Sequence, residues 1–471
     1  MDAGRSKKIV RNSRIPNLLC APYPYGPQAE AVGPLGGRSA GPLLSVARVS
    51  QQKASDRGCA TRVPHGWGEA FVAVLAGLVA MVVTAALGLW AAGAADLPGG
   101  AFPRVVAAVV VIAAGGSVEL SGDAGLIAGT NADLKVLPLS VTLAGALVIA
   151  AGFLRPLRHR AVADSRELVG WAARLAVLWV PALIGLSVLA RHTFEIPLGE
   201  GTIADIGDLL DASPEIGFRA DIPITLVFGL LWLAGLLFLA LLVSRRAPLP
   251  ARLVRFQESV RPAAFAMVVL LLAYVVVGVV IALVVAATRG HAAETFAVIL
   301  LGLPNLVWLG LTLGLGASWE GRVDGPFRLP MPQVLDSVLR TPENSTLNVG
   351  SLSDYDGRAW WLLVVVAAVL LLGAAFVMAL RSPARMRPWQ HAVQMAVALT
   401  LTVLAICLVA RISAHVGLSL LGIGDLGGDL AGEVTLRPHL WPALGLAVVW
   451  GLVTGFLGSL LAHRVRRRGE V

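Results

Sequence analysis

Four times in this chain an apolar run of membrane-crossing length ends in a cluster of arginines. The clusters are Arg155/Arg158/Arg160, Arg245/Arg246/Arg252, Arg381/Arg385/Arg387 and Arg464/Arg466/Arg467/Arg468. Short loops rich in Lys and Arg stay on the cytoplasmic side of a bilayer, so each cluster marks a return to that side. Uncharged runs cover Ala70–Ala95, Val136–Leu154, Ile222–Ser244, Pro262–Thr288, Thr295–Trp319, Ala359–Leu380 and Leu440–Ala462. Two more, Leu168–Ala190 and Pro388–Ala410, are interrupted only by Arg174 and His391. About 18 apolar residues cross a bilayer as a helix. Lipid offers backbone amides no partner outside the segment, so helices follow. Only 14% of residues are charged, against about 25% in soluble domains, so a water-facing surface cannot be built from this chain. The expected fold is an all-α polytopic membrane protein.

Counting the short run Val105–Val118 makes ten apolar segments. Ten simple crossings would put Arg155–Arg160 outside and the acidic stretch 195–221 inside, against the arginine rule. Parity returns if the second segment (101–120) and the seventh (295–319) enter and leave by the outer face. The second is too short to span comfortably and dissolves into Gly115-Gly116. The seventh carries Pro304-Asn305 and four glycines, which allow two half-helices. The expectation is about eight transmembrane helices plus two re-entrant segments, with both termini cytoplasmic.

The polar residues suggest a duplication. Gly115-Gly-Ser117-Val-Glu119-Leu-Ser-Gly-Asp123 matches Gly316-Ala-Ser318-Trp-Glu320-Gly-Arg-Val-Asp324 at a constant spacing of 201. Arg191 and Arg411 are 220 apart, and Trp232 and Trp450 are 218 apart. The reading is a first membrane repeat at 65–246 and a second at 247–471, the latter with a polar outer loop at 318–358. Both halves start and end inside, so they form parallel repeats about an axis along the membrane normal.

Three stretches of the first half resemble a family. They are His65-Gly-Trp-Gly-Glu-Ala70, Val118-Glu-Leu-Ser-Gly122, and Leu137-Pro-Leu-Ser-Val-Thr-Leu-Ala-Gly-Ala146 followed by Phe153-Leu-Arg-Pro-Leu-Arg-His-Arg160. They look like the streptophobe family of actinobacterial integral membrane proteins, over about residues 64–468. The resemblance implies an actinobacterial plasma-membrane protein. It supplies no activity and no functional residues to carry over.

The net charge of +9 does not indicate nucleic acid. Residues 1–64 hold ten Lys or Arg against Asp2, Glu30 and Asp56, so most of the excess lies in this tail. The tail is rich in Gly, Pro, Ser and Arg, cannot bury a core, and is expected to be disordered. No secretory leader is expected, because no apolar run follows the basic start before Ala70. Cys20, Cys59 and Cys407 lack disulfide or metal spacing.

The duplicated Gly-x-Ser-x-Glu-x-x-x-Asp is the best candidate for a site. Glu119 with Asp123, and Glu320 with Asp324, would share a helical face if helical. Two such intrusions could ring an outer vestibule with four carboxylates and attract cations. The competing reading is that these acids are simply solvated where apolar segments reach water. Asn305 is the most deeply placed amide, suited either to a solute or to a neighbouring helix. Arg191 and Arg411 sit at outer helix ends, as interface anchors or anion contacts. Gly422-Ile-Gly-Asp-Leu-Gly427 fits a dinucleotide fingerprint only by letters, lacking its strand and helix. No catalytic set, cofactor or metal is expected. The expected partners are the lipid bilayer, and other membrane proteins or a second copy. Two functions stay open: a non-enzymatic membrane organiser or assembly partner, and a permease or channel for a small solute.

Overall fold

The computed structural model describes residues 66–97, 100–123, 128–157, 165–195, 215–244, 251–323, 345–383, 386–420 and 432–468. The tail at 1–64, the glycine run at 422–427 and Asp324 lie outside them.

The first half contains α1 (Trp67–Ala91), α2 (Phe102–Ala113), β1 (Val118–Asp123), β2 (Ala128–Lys135), α3 (Leu139–Leu157), α4 (Ser165–Leu189), β3 (Arg191–Glu195), β4 (Glu215–Ala220) and α5 (Ile222–Val243). The second contains α6 (Ala251–Arg289), α7 (Ala292–Leu301), α8 (Leu303–Gly314), β5 (Trp319–Val323), β6 (Ser345–Leu347), α9 (Val349–Asp356), α10 (Leu362–Arg381), α11 (Pro388–Val409), β7 (Ile412–Leu420), β8 (Gly432–Pro438) and α12 (Leu440–Arg468). Among the described residues eight helices are long and apolar enough to span a bilayer: α1, α3, α4, α5, α6, α10, α11 and α12. The protein is an all-α polytopic membrane protein in its helical body, as its hydropathy requires.

The two remaining apolar segments are broken pieces. The helix α2 has 12 residues and rises about 18 Å, too little to cross a hydrocarbon core of about 30 Å. The pair α7 and α8 bends by 77° at Gly302. The break falls two residues before Pro304, whose missing N–H is harmless in the first turn of α8.

Above the helices lies an antiparallel sheet, in the order β3-β4-β1-β2-β7-β8-β5-β6. Every strand joins a helix end on the same side of the bundle, and the arginine-tipped ends of α3, α10 and α12 point the other way. This connectivity settles what the broken pieces do. The helix α5 leaves the sheet, α6 returns to it, and α10 leaves again after β6. The pair α7 and α8 therefore starts and ends on the sheet side, making no net crossing.

Sequence motifs explain how a helix becomes a strand here. At the end of α2, Gly115 has φ 94°, its N–H donates to Ile112, and Gly116 N–H donates to Val111 at 2.9 Å. At the end of α8, Gly316 has φ 91°, its N–H donates to Leu313, and Ala317 N–H donates to Thr312 at 3.0 Å. Both are Schellman turns, which need a left-handed residue that glycine adopts without strain. One residue later, Ser117 accepts from Asp221 N–H and Ser318 from His439 N–H, both at 3.1 Å.

Strand order recurs as well: β3-β4-β1-β2 is followed by β7-β8-β5-β6, and β2 pairs with β7 at the junction. Buried apolar residues fall into separate clusters, the main ones drawn from residues 70–240 and 263–447. Glycines let the helices approach closely. A Cβ on Gly451 would lie 2.4 Å from Ala396 Cα, and one on Gly455 would lie 2.8 Å from Ala392 Cα. Exposed Trp67 and Trp389 mark the arginine-side helix ends, and exposed Trp90, Trp361 and Trp441 the sheet-side ends. Amphipathic rings concentrate at both interfaces of a bilayer, so these two levels give its boundaries. Along α1, Trp67 and Trp90 stand roughly 35 Å apart, which fits.

Candidate functional site

Glu119, Asp123 and Glu320 lie on strands, not on a helix, so the condition for a shared helical face is not met. A strand also sets residues four apart on one face, because its period is two. The alternation is visible in what is buried. Phe218, Ala220, Trp319, Val434 and Leu436 turn inward or lie half-buried, while Glu119, Arg219, Glu320 and Arg437 are exposed. At these described positions the sheet turns one face to the helices and the other to solvent.

Register then decides what surrounds each acid. Glu119 stands opposite Arg219 on β4 and Asp133 on β2. Glu320 stands opposite Arg437 on β8 and Thr346 on β6. Directly opposed residues share a face, so each glutamate has an arginine as its cross-strand neighbour. Three strands, β2, β7 and β8, separate β1 from β5 in the sheet. The backbone of Asp123 stands opposite Gly129 and Glu215. Glu119 and Glu320 therefore stand in two separate rows, each beside an arginine, while Asp324 lies outside the described residues.

Asn305 proves to be a joint. Its Nδ2 donates to the Leu137 carbonyl at 2.9 Å, and its Oδ1 accepts from Leu139 N–H at 3.2 Å. Leu139 is the first residue of α3, whose opening N–H groups have no partner within the helix. Asn305 supplies one from 166 residues away. Two hydroxyls of the same turn finish the junction. Ser140 donates to the Ile299 carbonyl on α7, and Thr142 donates to the Ala113 carbonyl at the end of α2, both at 2.8 Å. The run Leu137-Pro-Leu-Ser-Val-Thr142 thus grips both broken segments at once. Sequence reasoning marked this run as distinctive without assigning it a partner.

The sheet-side ends of α4 and α5 add basic groups. The Arg104 guanidinium on α2 meets Nδ1 of His192 on β3, and the His192 ring packs edge-on against Phe218. Arg191 stands opposite Arg219 in the β3–β4 ladder. A groove of about 360 Å³ lies along α11 and α12, lined by apolar side chains such as Val393, Val397, Leu401 and Leu452. Among the described residues no three His, Cys, Asp or Glu side chains gather as metal ligands. No family model, curated protein or solved structure matches the chain.

Proposed function

We propose that this protein is a non-enzymatic organiser or assembly partner of the plasma membrane. Its arginine-tipped helix ends and both termini face the cytoplasm, and its sheet faces outward as a docking platform. The observation that carries this reading is the junction at Asn305. Both ends of that amide are occupied by backbone, and Ser140 and Thr142 close the same seam. A solute pathway needs the polar groups of its broken helices free to meet a substrate; here they hold the two halves together. The halves are duplicates, a reading supported by matched Schellman turns, matched strand order and separate cores. The resemblance to streptophobe proteins supports an actinobacterial plasma membrane as the setting.

The 77° bend between α7 and α8 favours the second reading, a permease or channel. Cysteines placed singly along α7, α8 and the first turns of α3 separate the two. Against membrane-impermeant thiol reagents, the organiser keeps these positions unreactive from both faces. A continuous reactive track from sheet to arginine side would establish the pathway instead. Photo-crosslinkers at Glu320 and its exposed cross-strand neighbour Thr346 test the platform directly. Discrete protein adducts in living cells are expected, and adducts with lipid alone would refute docking there.

A further inference from the structure

We infer that the sheet side carries two matched phosphate-binding sites, Arg191 with Arg219 and Arg411 with Arg437, occupied by anionic phospholipid headgroups. The inference rests on the bilayer placement and not on whether the protein organises or transports.

Register brings each pair together. Arg191 and Arg219 are direct partners in the β3–β4 ladder. Ile412 opposes Leu436 on β8, so continuing that antiparallel register by one residue sets Arg411 opposite Arg437. Cross-strand partners lie about 5 Å apart at Cα, and like charges so placed repel each other. All four arginines are exposed, and none makes an ion pair among the described residues. Even Glu119 and Glu320, one strand further on, form no such pair with Arg219 or Arg437. One repulsive pair is ordinary in a basic protein, but the same pair stands at the corresponding place in each half.

Position supplies the ligand. Arg191 and Arg411 lie two residues beyond the last residues of α4 and α11, and Arg219 and Arg437 lie three before the first residues of α5 and α12. All four therefore sit where spanning helices leave the hydrocarbon. Trp441, 86% exposed and four residues past Arg437, gives the interface level independently. Basic residues on the outward side run against the usual charge bias, so their retention calls for a counter-ion. Two guanidinium forks carried by directly opposed positions at headgroup depth match a phosphate, which accepts paired N–H bonds from arginine. The adjacent glutamate disfavours a second anion and leaves room for one headgroup per pair.

The test uses the purified full chain in nanodiscs of phosphatidylcholine, with and without phosphatidylglycerol, read by native mass spectrometry. Wild-type protein should retain phosphatidylglycerol after bulk lipid is stripped. R191Q/R219Q and R411Q/R437Q should each weaken retention roughly tenfold, as expected for lost charge-assisted bonds. R381Q/R387Q, at the opposite helix ends, should leave it unchanged. Lysine at the same positions should rescue only in part, because an ammonium lacks the fork. Unchanged thermal unfolding of the exposed-site variants shows that folding is intact. Inorganic phosphate is titrated in detergent as a second arm. Arginine-dependent phosphate binding without phosphatidylglycerol retention would keep the sites and assign them to a soluble phosphate. Retention unchanged in the quadruple glutamine variant, or equally lost in R381Q/R387Q, would overturn the inference.

Discussion

Replacing Asn305 by leucine tests the junction that holds the halves together. The substitution is close in volume and removes both hydrogen bonds, to the Leu137 carbonyl and the Leu139 N–H. Interhelical hydrogen bonds in membranes average about 0.6 kcal/mol, which sets a floor of roughly 1 kcal/mol for two. Leu139 N–H and Leu137 C=O then lose their partner at a half-buried seam, and an unmade bond there costs about 1–3 kcal/mol. The expected destabilisation of the start of α3 is about 2 kcal/mol. By the tenfold-per-1.4 kcal/mol rule this raises local opening roughly thirtyfold. Hydrogen exchange of a peptide covering residues 136–142, measured in nanodiscs, reads that opening directly. The segments around α7 and α2 should loosen with it, because Ser140 and Thr142 hold them to the same turn. Wild-type protection at 136–142 in the variant would refute the clamp, and with it the argument that Asn305 is unavailable to a solute.

Other consequences follow from close contacts and from placement. Gly451→Ala should cost about 1–3 kcal/mol in detergent unfolding, since its Cβ would meet Ala396 backbone at 2.4 Å. Gly445→Ala, with nothing within 4 Å of its added carbon, should leave the midpoint unchanged. Gly316→Ala should cost about 1 kcal/mol from its positive φ alone, because its Cβ would touch only Leu446 at an ordinary 3.7 Å. In intact cells, a thiol reagent that cannot cross the membrane should modify Thr193→Cys, while Arg387→Cys reacts only after permeabilisation. Cys407, fully buried in α11, should stay silent in both assays. Labelling of both engineered cysteines from one face would break the opposition of sheet and arginine ends.

Several features were readable residue by residue. Gly115 and Gly316 were visible as matched breaks, and they are the two Schellman residues. The shortness of the second segment and Pro304 in the seventh pointed to broken pieces, which α2, α7 and α8 are. The strands leave little mark in the hydropathy, although Glu433-Val-Thr-Leu-Arg-Pro438 alternates as a strand should. Such runs are short beside apolar helices of more than twenty residues, and polar composition made them look like loops. The exposed tryptophans that mark both interfaces are scattered along the chain, and their common depth emerges only when helices are aligned.

Hydropathy is summed along a chain, so the sequence alone determined the membrane class and the eight apolar spans. Partnership is not additive along a chain. Whether Asn305 would face a solute or cap a helix 166 residues away depended on which backbone arrived beside it. Whether Glu119 and Glu320 would converge or separate depended on three intervening strands. Those outcomes belong to strand register and helix packing, which tertiary structure decides.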